Sequence, residues 1–125
     1  MGNPKRLIIA DDTKDQLEAY MFLFRSYTPD TIIDAVSDGE SLVKRVRENS
    51  YNLILTDNNM PGMSGLDAIQ EIRNFDDKTP IYMMSCIHDE KLERLVKQFG
   101  GNGFIRKADE KSLYELKEII TKYLK

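Results

Sequence analysis

Three aspartates carry the chemistry open to this chain. Asp57 ends the run Leu53-Ile54-Leu55-Thr56 and stands directly before Asn58-Asn59-Met60-Pro61-Gly62-Met63-Ser64-Gly65; Asp11 and Asp12 follow the run Leu7-Ile8-Ile9-Ala10. Short apolar runs bounded by turn signals read as buried strands. Each strand would deliver its acids to the carboxyl edge of an open α/β sheet, where ligands bind. Three ionised carboxylates ~5 Å apart repel by ~3 kcal/mol per pair at an effective dielectric of about 20. A fold sustains such a cluster most readily by binding a cation or by keeping a proton. Hard oxygen ligands with open coordination positions suit Mg²⁺, which retains waters and takes a phosphate partner. The residues alone therefore predict a Mg²⁺-dependent phosphoryl site.

The rest of the chain alternates strand and helix so as to position those acids. Thr13-x-x-Gln16 reads as a capping box. It opens a helix whose Leu17, Tyr20, Met21 and Phe24 form one apolar stripe, broken at Pro29-Asp30. Thr31 to Val36 reads as a strand, and Ser37-Asp38-Gly39-Glu40 starts a helix carrying Leu42, Val43 and Val46. After the strand from Leu53 to Thr56, Ser64-x-x-Asp67 caps a helix with Leu66, Ile69 and Ile72 on its inner face. Ile81 to Ser85 is a fourth strand, followed by a helix marked by Leu92, Leu95, Val96 and Phe99 and stopped at Gly100-Gly101. Gly103 to Arg106 is the last strand; Leu113, Leu116, Ile120 and Tyr123 mark the last helix, with Asp109 its cap. Five βα units in series imply an α/β fold with a parallel sheet, right-handed crossovers and helices on both faces. Strand order is not readable from this pattern.

Composition bounds the function. A length of 125 residues suits one domain, and 41% hydrophobic with 31% charged residues fits a globular protein. A net charge of −3 leaves no basic footprint for nucleic acid. The single cysteine, Cys86, forms no internal disulfide and favours a reducing, cytoplasmic setting. No apolar run approaches membrane-spanning length, and Met1 to Arg6 lacks a signal core.

At this point the residues resemble a known family. Asp11-Asp12, Asp57 with Met60-Pro61-Gly62-Met63-Ser64-Gly65, Ser85 and Lys107 stand in the order and spacing of the receiver domain of two-component response regulators. The resemblance covers essentially the whole chain, residues 1–125, with no output domain. It implies a doubly wound, flavodoxin-like (CheY-like) fold with strand order 2-1-3-4-5, and the site over the first and third strands. It also implies that Asp57 accepts a phosphoryl group from a phosphohistidine, on a sensor histidine kinase or a histidine phosphotransfer protein. Mg²⁺ or Mn²⁺ would be held by Asp11, Asp12, Asp57 and the backbone carbonyl of Asn59, with Asp12 the direct ligand and Asp11 acting largely through water. Lys107 would pair with Asp57 and then with phosphoryl oxygens, Ser85 would swing its hydroxyl to the phosphoryl group, and Phe104 would turn inward with that movement.

One charge-assisted hydrogen bond from Ser85 is worth ~1.5–3 kcal/mol, whereas inverting a two-state population takes ~5.5 kcal/mol. Lys107 and the metal must therefore contribute to the switch. Lacking a hydroxyl, Phe104 leans inward more than a tyrosine would. In this picture the chain is no separate enzyme; it catalyses only its own phosphorylation and dephosphorylation. It signals to a downstream protein through its fourth helix, fifth strand and fifth helix. The acidic pair that accompanies symmetric dimers of DNA-binding relatives is replaced by Asn102-Gly103, so a monomer without direct nucleic-acid or membrane contact is expected.

Two positions depart from the pattern: Cys86 stands where the family has Ala, and Ala108 where it has Pro. A lone cysteine most often packs as a small buried hydrophobe. A non-proline cis bond costs ~2.5–4 kcal/mol, which predicts a trans Lys107–Ala108 peptide. Cys86 and Ala108 also keep open a receiver that binds partners without being phosphorylated. An aspartyl-phosphate hydrolase would want a second acid two residues after Asp57, where Asn59 stands. His88, the only histidine, reads as a loop residue, and Met60, Met63, Met83 and Met84 as packing.

Overall fold

Buried β-branched and aliphatic runs form the middle of this protein because parallel strands covered on both faces have no polar side to show. In the computed structural model, which describes residues 3–86, 89–107 and 110–125, five strands alternate with five helices. They are β1 (Arg6–Ala10), α1 (Lys14–Tyr27), β2 (Ile32–Val36), α2 (Gly39–Glu48), β3 (Leu53–Asp57), α3 (Gly65–Arg73), β4 (Ile81–Ser85), α4 (Glu90–Gln98), β5 (Gly103–Arg106) and α5 (Glu110–Leu124). Of the strands, β1, β3 and β4 are the buried ones. The strands form one parallel sheet in the order β2-β1-β3-β4-β5. From β1 the connections first step outward to β2 and then back past β1 to β3, so the winding reverses there and the carboxyl ends of β1 and β3 lie side by side at that switch point.

Alternation along each strand feeds two cores. Ile8, Ala10, Ile54 and Met83 point to one face with Leu42, Val46, Ile69, Ile72 and Val96 of α2, α3 and α4. Leu7, Ile9, Leu55 and Met84 point to the other, with Phe24 of α1 and Leu116, Ile120 and Leu124 of α5. Helix starts are held by side chains: Asp38 accepts from the Ser41 N–H at 2.7 Å, and Ser64 from the Asp67 N–H at 3.1 Å. The chain turns away after α4 at Gly100, whose φ of +103° glycine adopts without strain. At the amino edge of the sheet, Arg73 gathers the carbonyls of Gly100, Asp76 and Thr79 and the Asn102 Oδ1 at 2.8 to 3.2 Å.

Two local expectations are corrected. Thr13 sits at the start of α1 but makes no side-chain cap bond; Gln16, its supposed partner, is drawn instead to a buried ammonium. Leu113 is 43% exposed, because the buried row of α5 runs 112, 116, 120, 124, one position every turn, and Ser112 takes the place next to the core. His88, Asp109 and the Lys107–Ala108 peptide lie outside the described residues. No helix among the described residues is long and apolar enough to cross a membrane.

Candidate functional site

The carboxyl edge of the sheet brings the three aspartates together. Asp11, Asp12 and Asp57 each offer a carboxylate oxygen, all within 4.8 Å of one another. Asp11 follows β1 and is fully buried. Its backbone N–H donates to the Val36 carbonyl at 3.1 Å, its Oδ1 accepts from the Thr13 N–H at 2.9 Å, and its Oδ2 accepts from Lys107 Nζ at 2.7 Å. Asp12, one residue on, turns outward and is exposed. Asp57 closes β3 half-buried, with Oδ1 accepting from the Asn58 N–H at 2.8 Å.

The loop after β3 is tied down closely. The Gly65 N–H donates to the Asn58 carbonyl at 2.9 Å, and the Leu66 N–H to Asn58 Oδ1 at 3.1 Å. A Cβ at Gly65 would meet the Asp57 carbonyl oxygen at 2.1 Å, so only glycine lets α3 start this near the strand end. The turn between them uses Gly62 at φ +72°.

Lys107 supplies the positive charge. It is buried just past β5, its backbone N–H donating to the Ser85 carbonyl at 2.7 Å. Its ammonium lies 2.7 Å from Asp11 and 3.7 Å from Asp57. The resemblance implied Asp57 as its partner, and the nearer one here is Asp11, which has no solvent of its own to stabilise its charge. Ser85 is buried at the end of β4, Asn59 is exposed, and Phe104 is half-buried against the core that Met83 belongs to.

Burial raises the Asp57 carboxyl above its usual range; Lys107 opposes this, Asp11 adds to it, and the N–H groups of Asn58 and Asn59 oppose it. The same surroundings push the Tyr20 phenol up to about 12, through burial first and then Asp11, Cys86 and Asp57.

Cys86 corrects an expectation. It is exposed, not packed, because β4 ends at Ser85 and the next residue lies beyond both cores. Two site residues were missed. Gln16 accepts from Lys107 Nζ at 2.8 Å, and the Tyr20 ring lies 5.9 Å from the same nitrogen. Their spacing of one helical turn, on the helix that begins at the acids, was the available signal.

Comparison with known proteins agrees with this geometry. The family model for the response regulator receiver domain matches residues 7–120. Transcriptional regulatory protein YdfI of Bacillus subtilis is 30% identical over 102 residues, which are 82% of this chain and 47% of that protein. Two-component response regulator PhoP of Pseudomonas aeruginosa is 41% identical over 55 residues, 44% of this chain and 24% of that one. The chain thus spans at most about half the length of these curated relatives. A chain in the crystal structure of the CheX-CheY-BeF3-Mg+2 complex from Borrelia burgdorferi is 25% identical, with a TM-score of 0.84 over 99% of this chain and 92% of that one. Chemotaxis response regulator CheY4 of Vibrio cholerae, 19% identical, shares the fold with a TM-score of 0.82 over 94% of this chain and 99% of its own. An acidic pocket at the switch point of a 2-1-3-4-5 sheet, and a family match running from β1 into α5, lead to one conclusion: the chain belongs to the response regulator receiver domain family.

Proposed function

We propose that this receiver accepts a phosphoryl group on Asp57 from a phosphohistidine of a sensor histidine kinase or a histidine phosphotransfer protein. One observation carries the reading: three carboxylates converge within 4.8 Å, and a buried ammonium contacts two of them. The negative surplus suits a divalent cation. Asp11, Asp12, Asp57 and the Asn59 carbonyl would hold Mg²⁺ or Mn²⁺. When bound, the ion supplies positive charge against the donor's phosphoryl oxygens.

The chain's own residues do the rest. The Asn58 N–H fixes one Asp57 oxygen and so orients the carboxylate. An Asp57 oxygen attacks phosphorus, the P–N bond to the donor imidazole breaks, and its electron pair stays on nitrogen. The product is an acyl phosphate. Lys107 then pairs with the new phosphoryl oxygens, the Ser85 hydroxyl donates to one of them, and Phe104 moves further into the core beside it. The change is read by a downstream protein on the α4-β5-α5 surface. The unit acts as a single cytoplasmic receiver that catalyses only its own phosphorylation and dephosphorylation. The Borrelia burgdorferi complex, which contains BeF3 and Mg+2 with CheX and CheY, supports both a divalent-ion site and a protein partner here.

Incubation with acetyl phosphate and Mg²⁺, read by intact-protein mass, tests the proposal. The expected result is a gain of one phosphoryl group, lost in Asp57→Asn and when EDTA replaces Mg²⁺. A wild-type chain that gains nothing would overturn it in favour of a receiver that works by binding alone.

A further inference from the structure

We propose that Gln16 is a positioning residue for Lys107, and that α1, through Gln16 and Tyr20, forms a third wall of the site; this rests on the phosphoacceptor reading above. The Lys107 ammonium has three N–H donors. Asp11 accepts one at 2.7 Å and Gln16 Oε1 another at 2.8 Å, leaving Asp57 at 3.7 Å. The Tyr20 ring stands 5.9 Å from the same nitrogen. At the other end of the residue, the Lys107 N–H is anchored on Ser85. The next residue in sequence is Ala108, which carries no ring to restrict the backbone as proline would. The head-group contacts therefore locate the charge.

Gln16 suits this task because it is neutral. It places the cation without adding a fourth negative charge to the pocket. A neutral amide also holds an ammonium less strongly than an anionic oxygen does. While Asp57 gains phosphoryl oxygens, Gln16 keeps its own Lys107 donor occupied and so aims the remaining donor at Asp57 and those oxygens.

Gln16→Met keeps side-chain length and helix propensity but removes the acceptor. With acetyl phosphate and Mg²⁺, the rate at saturating donor should fall about tenfold, the effect of one hydrogen bond to a charged group. The half-saturating donor concentration should stay unchanged. In a Lys107→Met background the same substitution should change nothing further. The ¹⁵N-detected ammonium signal of Lys107 should shift in Gln16→Met and persist in Gln16→Glu, which retains an acceptor oxygen. A wild-type rate with an unshifted signal, or an equal loss with and without Lys107, would overturn the proposal. If the wild-type chain itself takes no phosphoryl group, the phosphoacceptor reading fails. The ammonium signal then decides the role of Gln16 alone: a shift supports it and no shift overturns it.

Discussion

Replacing Asp57 by Asn should stabilise the domain when no divalent ion is present. The Asp57 carboxylate lies 3.7 Å from Lys107 Nζ, an attraction of ~4.5 kcal/mol at an effective dielectric of about 20. It also lies within 4.8 Å of the Asp11 carboxylate, a repulsion of ~3.5 kcal/mol on the same scale. These nearly cancel, so burial decides the sign, and it disfavours the ionised form. Only 13% of the side-chain surface stays in solvent, so little of that penalty is relieved by water. Asn preserves the shape and the bond from the Asn58 N–H while carrying no charge. In EDTA at neutral pH its Tm should therefore rise, by about 4 °C for each kcal/mol of penalty relieved.

The pH dependence carries a definite sign. The folded Asp57 value lies above its ordinary 3.8. The stability associated with the protonated acid is thus complete below 3.8 and lost as pH rises through the folded value. Wild type and variant should converge towards the acid end and diverge above it. Added Mg²⁺ should stabilise the wild type more and close the gap. Circular-dichroism melts from acid to neutral pH, with and without Mg²⁺, measure all of this. A variant that melts at or below wild type in EDTA, or a gap that acid leaves intact, would refute the reasoning.

Two further outcomes follow from the same structure. Burial, ahead of their polar neighbours, pushes Tyr20, Tyr51 and Tyr82 up to about 12. A spectrophotometric titration should find these phenols still neutral at about pH 11, past the ordinary range. Stability should be complete below 10.0 and lost as pH rises through about 12; all six tyrosines ionising together near the ordinary value would contradict this. Gly65→Ala drives a Cβ into the Asp57 carbonyl and should cost ~3 kcal/mol, while Gly62→Ala meets only Glu40 Oε1 at 4.0 Å and should cost only the ~1–2 kcal/mol of its left-handed backbone. Urea midpoints that reverse this ranking would show that α3 can retreat from β3.

Much of this was legible because the signals were local. Ile81 to Ser85 and Gly103 to Arg106 are strands with the ends read from sequence, and Ser64 caps α3 through the Asp67 N–H as its spacing predicted. The strand order came through the family resemblance, since a βα repeat states which elements follow one another and not which lie side by side. What escaped was set by competition across the fold. Thr13 and Gln16 have the spacing of a capping box, yet a buried ammonium 91 positions away takes the Gln16 oxygen. Leu113 fits a helical stripe, but the row that meets β5 is decided by how α5 lies on the sheet. The acids were recognisable as a cluster from two strand ends. That Lys107 would lie nearer Asp11 than Asp57 depends on which carboxylate loses its water entirely, and that is a property of packing.

Arg73 sits at the amino edge of the sheet. Its guanidinium splices three separate returns of the chain: the end of α3, the approach to β4 and the turn into β5. Lengthening the 74–80 connection, or grafting the α4–β5 turn from a relative, would leave donors or carbonyls stranded unless the arginine and its acceptors travelled as a set. The end of the domain far from the three acids is consequently hard to re-engineer one segment at a time.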